Sequence, residues 1–377
     1  MKRCLSVVFA VALLAFLASC TLGTFVPVTD SFTSDPDETD IPRPTSPMAV
    51  DHALPSIHIS YDTEDTLHLS YYIDASISVK SGDYFFADFT DKNAKVRIRG
   101  NSTAIGAKKP LNIKFSKSIE VFGLGKAKKW CLLANMYDKS LMRNKLALDF
   151  ARSVGLSNSS NAKYVNLFIN NEYMGNYLLC ESVGVGKSRV DIDQSANEFL
   201  LELEPFENYK NELFIKTDIY GLTFGLDDTD FITEEQIGYL TSFLNSFEYA
   251  LKNSTFDEFS KYIDVESFVN FYIVNELFKN VDFSLSSTRF YIKSGKLYAG
   301  PAWDFDLSAG NCSADYYPAY NNYATGNPSS NGIWCREFWF AELMENDRFS
   351  TLVANRYYEL QPLIVNLTDD NSLGTNR

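Results

Sequence analysis

The chain has 377 residues, 45% of them apolar and 15% aromatic. That is enough for a sizeable core spread over two or three lobes, and it excludes a disordered chain or a small disulfide-stapled scaffold. A formal charge of −14 argues against nucleic acid as a partner. With only three histidines, His52, His58 and His68, a histidine-based triad or zinc site has almost no material, so any chemistry must rest on carboxylates, Lys, Arg and a bound cation.

Lys2 and Arg3 precede an apolar run from Leu5 to Leu17, followed by Leu17-Ala18-Ser19-Cys20. The run is too short to span a bilayer, so residues 1–20 read as an export signal. Its ending resembles a bacterial lipobox, with Cys20 lipidated and anchoring the protein to the cell envelope. Residues 21–54 are rich in Pro, Ser and Thr and read as a tether. The body is therefore expected outside the cytoplasm.

Alternation then predicts strands at Ile57–Ile59, Leu67–Leu69, Val96–Ile98 and Leu111–Ile113. A helix is expected from an Asp138 N-cap to Gly155, with Leu141, Met142, Leu146 and Phe150 as its apolar stripe. Strands Tyr164–Ile169 and Tyr173–Cys180 flank an Asn170-Asn171 hairpin turn. Glu181 to Ser188 ends like a phosphate-binding P-loop but starts with Glu instead of Gly, and reads as a connector. From Thr233 the period becomes helical, with a capping box to Gln236 and a stripe of Ile237, Leu240, Leu244, Phe247 and Leu251. A second helix, Val265–Lys279, precedes a strand pair at Thr288–Ile292 and Lys296–Ala299, and Phe338–Leu363 reads as helix again. Cys131 and Cys180 are expected to be buried thiols, whereas Cys312 and Cys335 could bridge. The order is a β-rich amino lobe over 55–181 and an α-rich carboxyl lobe over 182–377, an α+β chain.

The charge is uneven. Between Lys92 and Lys145 there are 14 Lys and Arg against Glu120 and Asp138, leaving the remainder at −26. Lys95, Arg97 and Arg99 alternate with Val96 and Ile98, so the cations share one strand face. A loop of small residues, Gly100-Asn101-Ser102-Thr103, leads on to Lys108 and Lys109, and Lys114 lies on the next strand. Convergent cations and glycine N–H groups suit a polyphosphate. In the carboxyl lobe Asp282 falls between a helix and a strand, where a general base is rigidly based and reachable. Asp304 and Asp306, two apart, can point the same way and offer hard oxygens to Mg²⁺ or Mn²⁺. Cations on a β lobe, a loop Asp, a strand pair and an Asp-Phe-Asp turn follow the order of parts in protein kinases.

These stretches resemble the CotH-type (spore coat protein H) kinases, which have a divergent, two-lobed protein-kinase-like fold. They are Arg97-Ile98-Arg99-Gly100-Asn101-Ser102, Lys109-Pro110-Leu111-Asn112-Ile113-Lys114, Lys129-Trp130, Leu132-Leu133-Ala134-Asn135 and Leu141-Met142-Arg143-Asn144. Tyr164 to Glu181, Asn280-Val281-Asp282 and Trp303-Asp304-Phe305-Asp306 complete the set. The resemblance implies an atypical kinase that uses ATP and a divalent metal to phosphorylate Ser or Thr of a protein substrate. It makes Asp282 the catalytic base and Asp304 with Asp306 the metal-binding turn. Arg97, Arg99, Asn101, Ser102, Lys109 and Arg143 become the nucleotide grip, with Lys114 as the alternative to Lys109, and Glu181 leads into the hinge beside adenine. Two positions depart from protein kinases: Ser287 stands where an Asn metal ligand is usual, and Asp306 replaces the Gly of Asp-Phe-Gly. Two other readings are a surface-anchored, non-catalytic binding or scaffolding protein for cell-wall polysaccharide, and a glycosidase using the paired carboxylates.

Overall fold

The computed structural model describes residues 54–82, 86–100, 102–204, 213–226, 232–283, 287–311 and 338–368. The expected export signal, Cys20 and the tether up to residue 53, Asn101, and the Cys312–Cys335 pair lie outside them. Among the described residues no helix is long and apolar enough to cross a membrane.

The fold is α+β. Seven strands close a barrel: β1 (Ser56–Ser60), β2 (Ile73–Lys80), β3 (Phe89–Ile98), β4 (Leu111–Glu120), β5 (Lys126–Leu133), β6 (Ala162–Ile169) and β7 (Glu172–Glu181). The order is β1-β2-β3-β4-β5-β7-β6, and a parallel pairing of β1 with β6 closes it. Alternation explains its inside: Ile57, Ile59, Ile77, Val96, Ile113, Trp130, Leu132 and Leu167 are all at or near zero exposure in one core. Burying each such side chain is worth roughly 1.5–3 kcal/mol. The expected Asn170-Asn171 turn is present, with both residues at positive φ (47° and 69°), as the twist of a two-residue hairpin requires.

Leu67–Leu69 is not a strand. It is tied to β3 through the His68 carbonyl, which accepts from Ile98 N–H at 2.8 Å.

Helix α1 (Arg143–Ser153) starts later than expected. Asp138 is not its N-cap residue, yet its carboxylate still accepts the Arg143 N–H at 2.8 Å, five positions on. The buried face is also rotated from the expected stripe: Asn144, Ala147, Leu148, Phe150 and Ala151 are buried, while Met142 is exposed.

A five-stranded antiparallel sheet follows, in the order β12-β11-β8-β10-β9. Its strands are β8 (Phe199–Leu203), β9 (Phe214–Lys216), β10 (Thr223–Leu226), β11 (Arg289–Lys293) and β12 (Lys296–Ala299). The helices are α2 (Glu234–Asn253), the short α3 (Phe256–Phe259), α4 (Val265–Phe278), α5 (Trp339–Glu345) and α6 (Asp347–Thr368). Helix α2 opens with the expected Thr233–Gln236 capping box. Helix α4 is buried almost all round from Ser267 to Asn275, so its single expected stripe understates its central place. It packs among Phe247, Phe290, Trp339 and Phe340 in a second core. The carboxyl-terminal helix expected as one piece breaks at Asn346 and continues to Thr368.

Candidate active site

The outer face of the barrel carries the cations. Register places Lys95, Lys114 and Lys129 abreast on β3, β4 and β5, and beside them Arg97, Asn112, Cys131 and Cys180 abreast across to β7. Lys95 is paired with Asp74 at 2.7 Å on the surface. Arg97 lies 5.0 Å and Lys114 5.9 Å from the Tyr72 ring centre. Two cations sharing one ring stand in a field that favours an anion. Lys109 turns its ammonium to the Ala104 carbonyl of its own loop at 2.7 Å, Ser102 is exposed, and Lys108 reaches the Asn176 carbonyl.

Arg99 extends this row towards the acidic turn. Its guanidinium lies 5.5 Å from the Trp303 ring centre. Burial works against its charge, but Cys131 and Asp304 outweigh that and raise its pKa. Cys131 and Cys180 are buried free thiols, as expected, packed with Leu148 and Trp303 against α1. Glu181 is buried with its carboxyl accepting from Ser188 Oγ at 2.8 Å, and burial raises its pKa. It stands opposite Trp130 in the β5–β7 register, on the face that turns to the barrel core.

Asp282 follows the end of α4, where Lys279 in the left-handed region (φ 49°) stops the helix and Asn280 Oδ1 accepts the Asp282 N–H at 3.2 Å. Among the described residues its carboxylate has no hydrogen-bond partner. Burial, and then repulsion from Asp304, push its pKa up to about 7. Asp304 also sits at positive φ (63°), an uncommon conformation for a residue with a side chain, and accepts from Ser287 Oγ at 3.1 Å. Asp306 is buried, and burial together with repulsion from Asp304 and Asp282 raises its pKa too. Three carboxylates therefore share a partly dry space with Arg99 as the neighbouring cation, an arrangement that attracts positive charge.

The turn bearing Asp304 and Asp306 is pinned from two sides. Ala309 N–H donates to the Phe278 carbonyl at the end of α4 at 2.5 Å. From the start of α1, Arg143 Nε donates to the Ser308 carbonyl at 2.9 Å and Nη2 to that of Ala309 at 3.3 Å, while Nη1 bonds Asp138. Arg143 thus spends its guanidinium on protein acceptors. Asn144 Oδ1 accepts the Phe305 N–H at 2.7 Å, between the two aspartates. In the sequence Asn144 is part of Leu141-Met142-Arg143-Asn144; the signal that marks it is a polar residue on the buried face of an amphipathic helix.

Among the described residues no group of three or more His, Cys, Asp or Glu stands at metal-binding spacing. Asp304 and Asp306 offer the hard oxygens that Mg²⁺ or Mn²⁺ prefers. Such ions commonly take one or two carboxylates and complete their shell with water and phosphate, so the donors fit without a protein cage. The Asp282 and Asp306 pKa values, raised in part by neighbouring carboxylates, report negative charge that a cation would offset.

No curated protein matches the chain. A family model described as CotH kinase protein matches residues 96–365, from the cation-bearing β3 to the last helix. With well over half of its length covered by that match, the chain belongs to the CotH kinase protein family.

Proposed function

We propose that the protein is an exported, membrane-anchored atypical protein kinase that transfers the γ-phosphoryl group of ATP to a Ser or Thr hydroxyl of a protein substrate. The barrel and the helix-backed sheet would be its β-rich and α-rich lobes, and lipidated Cys20 its anchor. The observation that carries the reading is the convergence of Asp282, Asp304 and Asp306 opposite Arg99, which comes from the cation-bearing face of the barrel.

When bound, ATP supplies the phosphoryl group and a divalent cation offsets the charge on its oxygens. Asp304 and Asp306 would hold the cation. Arg99 and Arg97 lie on the face that would meet the phosphates, with Asn101, Ser102 and Lys109 in or beside the adjoining loop. Asp282, with no partner among the described residues and a pKa near 7, is suited to orient the substrate hydroxyl and accept its proton.

The test is Asp282→Asn, assayed for ³²P transfer from labelled ATP to a basic protein or to the chain itself, alongside calorimetric ATP binding with Mn²⁺. Loss of transfer by about 10²–10⁴-fold with ATP affinity kept is expected. Full activity in Asp282→Asn would sink the assignment of the base. No metal-dependent ATP binding by folded wild-type protein would favour the non-catalytic binding protein instead.

A further inference from the structure

We infer that Asn144 is a positioning residue for the Asp304–Asp306 turn, setting how well that turn holds a divalent cation; the inference rests on the metal role proposed for those aspartates. Asn144 is the second residue of α1 and is 3% exposed. Both ends of its amide are committed. Oδ1 accepts the Phe305 N–H at 2.7 Å, and Nδ2 donates to Asn135 Oδ1 at 3.0 Å. The second bond fixes which end of the amide faces Phe305. Asn135 is itself held, since its Nδ2 donates to the Leu141 carbonyl at 3.2 Å. Tyr164 OH donates to the same carbonyl at 2.8 Å, tying the segment to β6.

The bond matters because of where Phe305 lies. Its N–H belongs to the peptide that joins Asp304 to Phe305, one residue before Asp306. Fixing that peptide limits the backbone rotation on which the direction of both carboxylates depends. Asp304 needs such help, because its φ of 63° is disfavoured for an L-residue and persists only when neighbours over-determine it. Further along, Asn311 Nδ2 bonds the carbonyls of Asp306 at 2.6 Å and Tyr137 at 2.8 Å. The segment 135–144 is thus a bracket gripping both ends of the turn, with Asn144 at the end nearest the carboxylates. The bracket bears on two carboxylates that repel one another, so the turn is held in place before a cation arrives.

The experiment is Mn²⁺ titration of the full chain in the presence of ADP, read by the electron paramagnetic resonance of free Mn²⁺. Thermal unfolding is followed in parallel without metal. Asn144→Ala should weaken Mn²⁺ binding by about 10–100-fold, the usual scale for a group supporting a metal ligand. Asn144→Asp keeps an acceptor for the Phe305 N–H but loses the donor to Asn135, so it should recover part of that loss and bind Mn²⁺ more tightly than Asn144→Ala and more weakly than wild type. That rescue is what a merely structural role would not produce. If Asn144→Ala does not melt cooperatively, Asn135→Ala, which frees the Asn144 amide, takes its place and should weaken binding by a few-fold. Wild-type affinity in the folded variant would overturn the inference. Asp304→Asn serves as the control for the underlying reading: if wild type and Asp304→Asn bind Mn²⁺ alike, the metal site itself is wrong and the inference falls with it.

Discussion

At the scale of single residues, the most informative groups are carboxylates that cost stability where they stand. Asp282 has a folded pKa of about 7, raised first by burial and then by Asp304. An unfolded aspartate titrates near 3.9, so between about pH 4 and pH 7 the folded state binds the extra proton. The stability linked to Asp282 is then fully present below about pH 4 and is lost as pH rises through about 7. Asp306 is shifted the same way and adds to the slope. Asp282→Asn removes its share of the titration and should raise the melting midpoint at pH 8 by a few degrees, with little gain at pH 4. A midpoint at pH 8 equal to or below that of wild type would contradict this account. Paying stability to hold a reactive group is common at functional sites.

At the scale of elements, the start of α1 shows where local pattern is enough and where it is not. The hairpin turn at Asn170-Asn171 and the Thr233–Gln236 capping box were legible because their chemistry is complete within four residues. The β3 alternation was legible for the same reason, since a period of two decides which side chains face the barrel interior. Helix α1 was displaced because its first turn depends on distant partners. Asp138 has the residue type of a cap, but its carboxylate receives Ser140 N–H, Ser140 Oγ and Arg143, and Arg143 in turn bonds carbonyls 165 and 166 residues away. Asn144 was silent for the same reason, its partner Phe305 being 161 residues on. Asp282, Asp304 and Asp306 could be picked out by residue type and order, but their mutual repulsion needed the folded chain. The side chain of Asp138 is fully buried, and that of Arg143 is largely so. Asp138→Ala should therefore cost about 2–4 kcal/mol, because it strips Arg143 of its carboxylate and the helix of its N-terminal acceptor. Urea unfolding checks this; a loss under about 1 kcal/mol would mean the bracket does not depend on Asp138.

At the scale of the whole molecule, the barrel and the helix-backed sheet have separate apolar cores, and polar and mixed contacts link them near the site. Arg99 over Trp303, Leu148 with Trp303 behind the thiol pair, and Asn144 with Phe305 all join the barrel or α1 to the Asp304–Asp306 segment. A ligand that touches the cation-bearing face and the aspartates together should therefore stabilise both cores at once. With ATP analogue and Mn²⁺ at about 100 times their dissociation constants, mass action adds about 2.7 kcal/mol. In a chain of this size that should raise the melting midpoint by roughly 3–4 °C. The effect should depend on pH in a definite direction. Near pH 6 Asp282 and Asp306 tend to carry protons, which a cation must displace before it binds, so the shift should be smaller at pH 6 than at pH 8. Differential scanning fluorimetry at both pH values, with nucleotide alone, metal alone and the two together, separates the contributions. Nucleotide alone should give a small shift through Arg99 and its neighbours, and the pair a much larger one. Equal shifts at the two pH values would mean that the cation does not sit against these aspartates. A full shift with nucleotide alone would put the binding energy on the barrel face and leave the carboxylates without a part in holding phosphate.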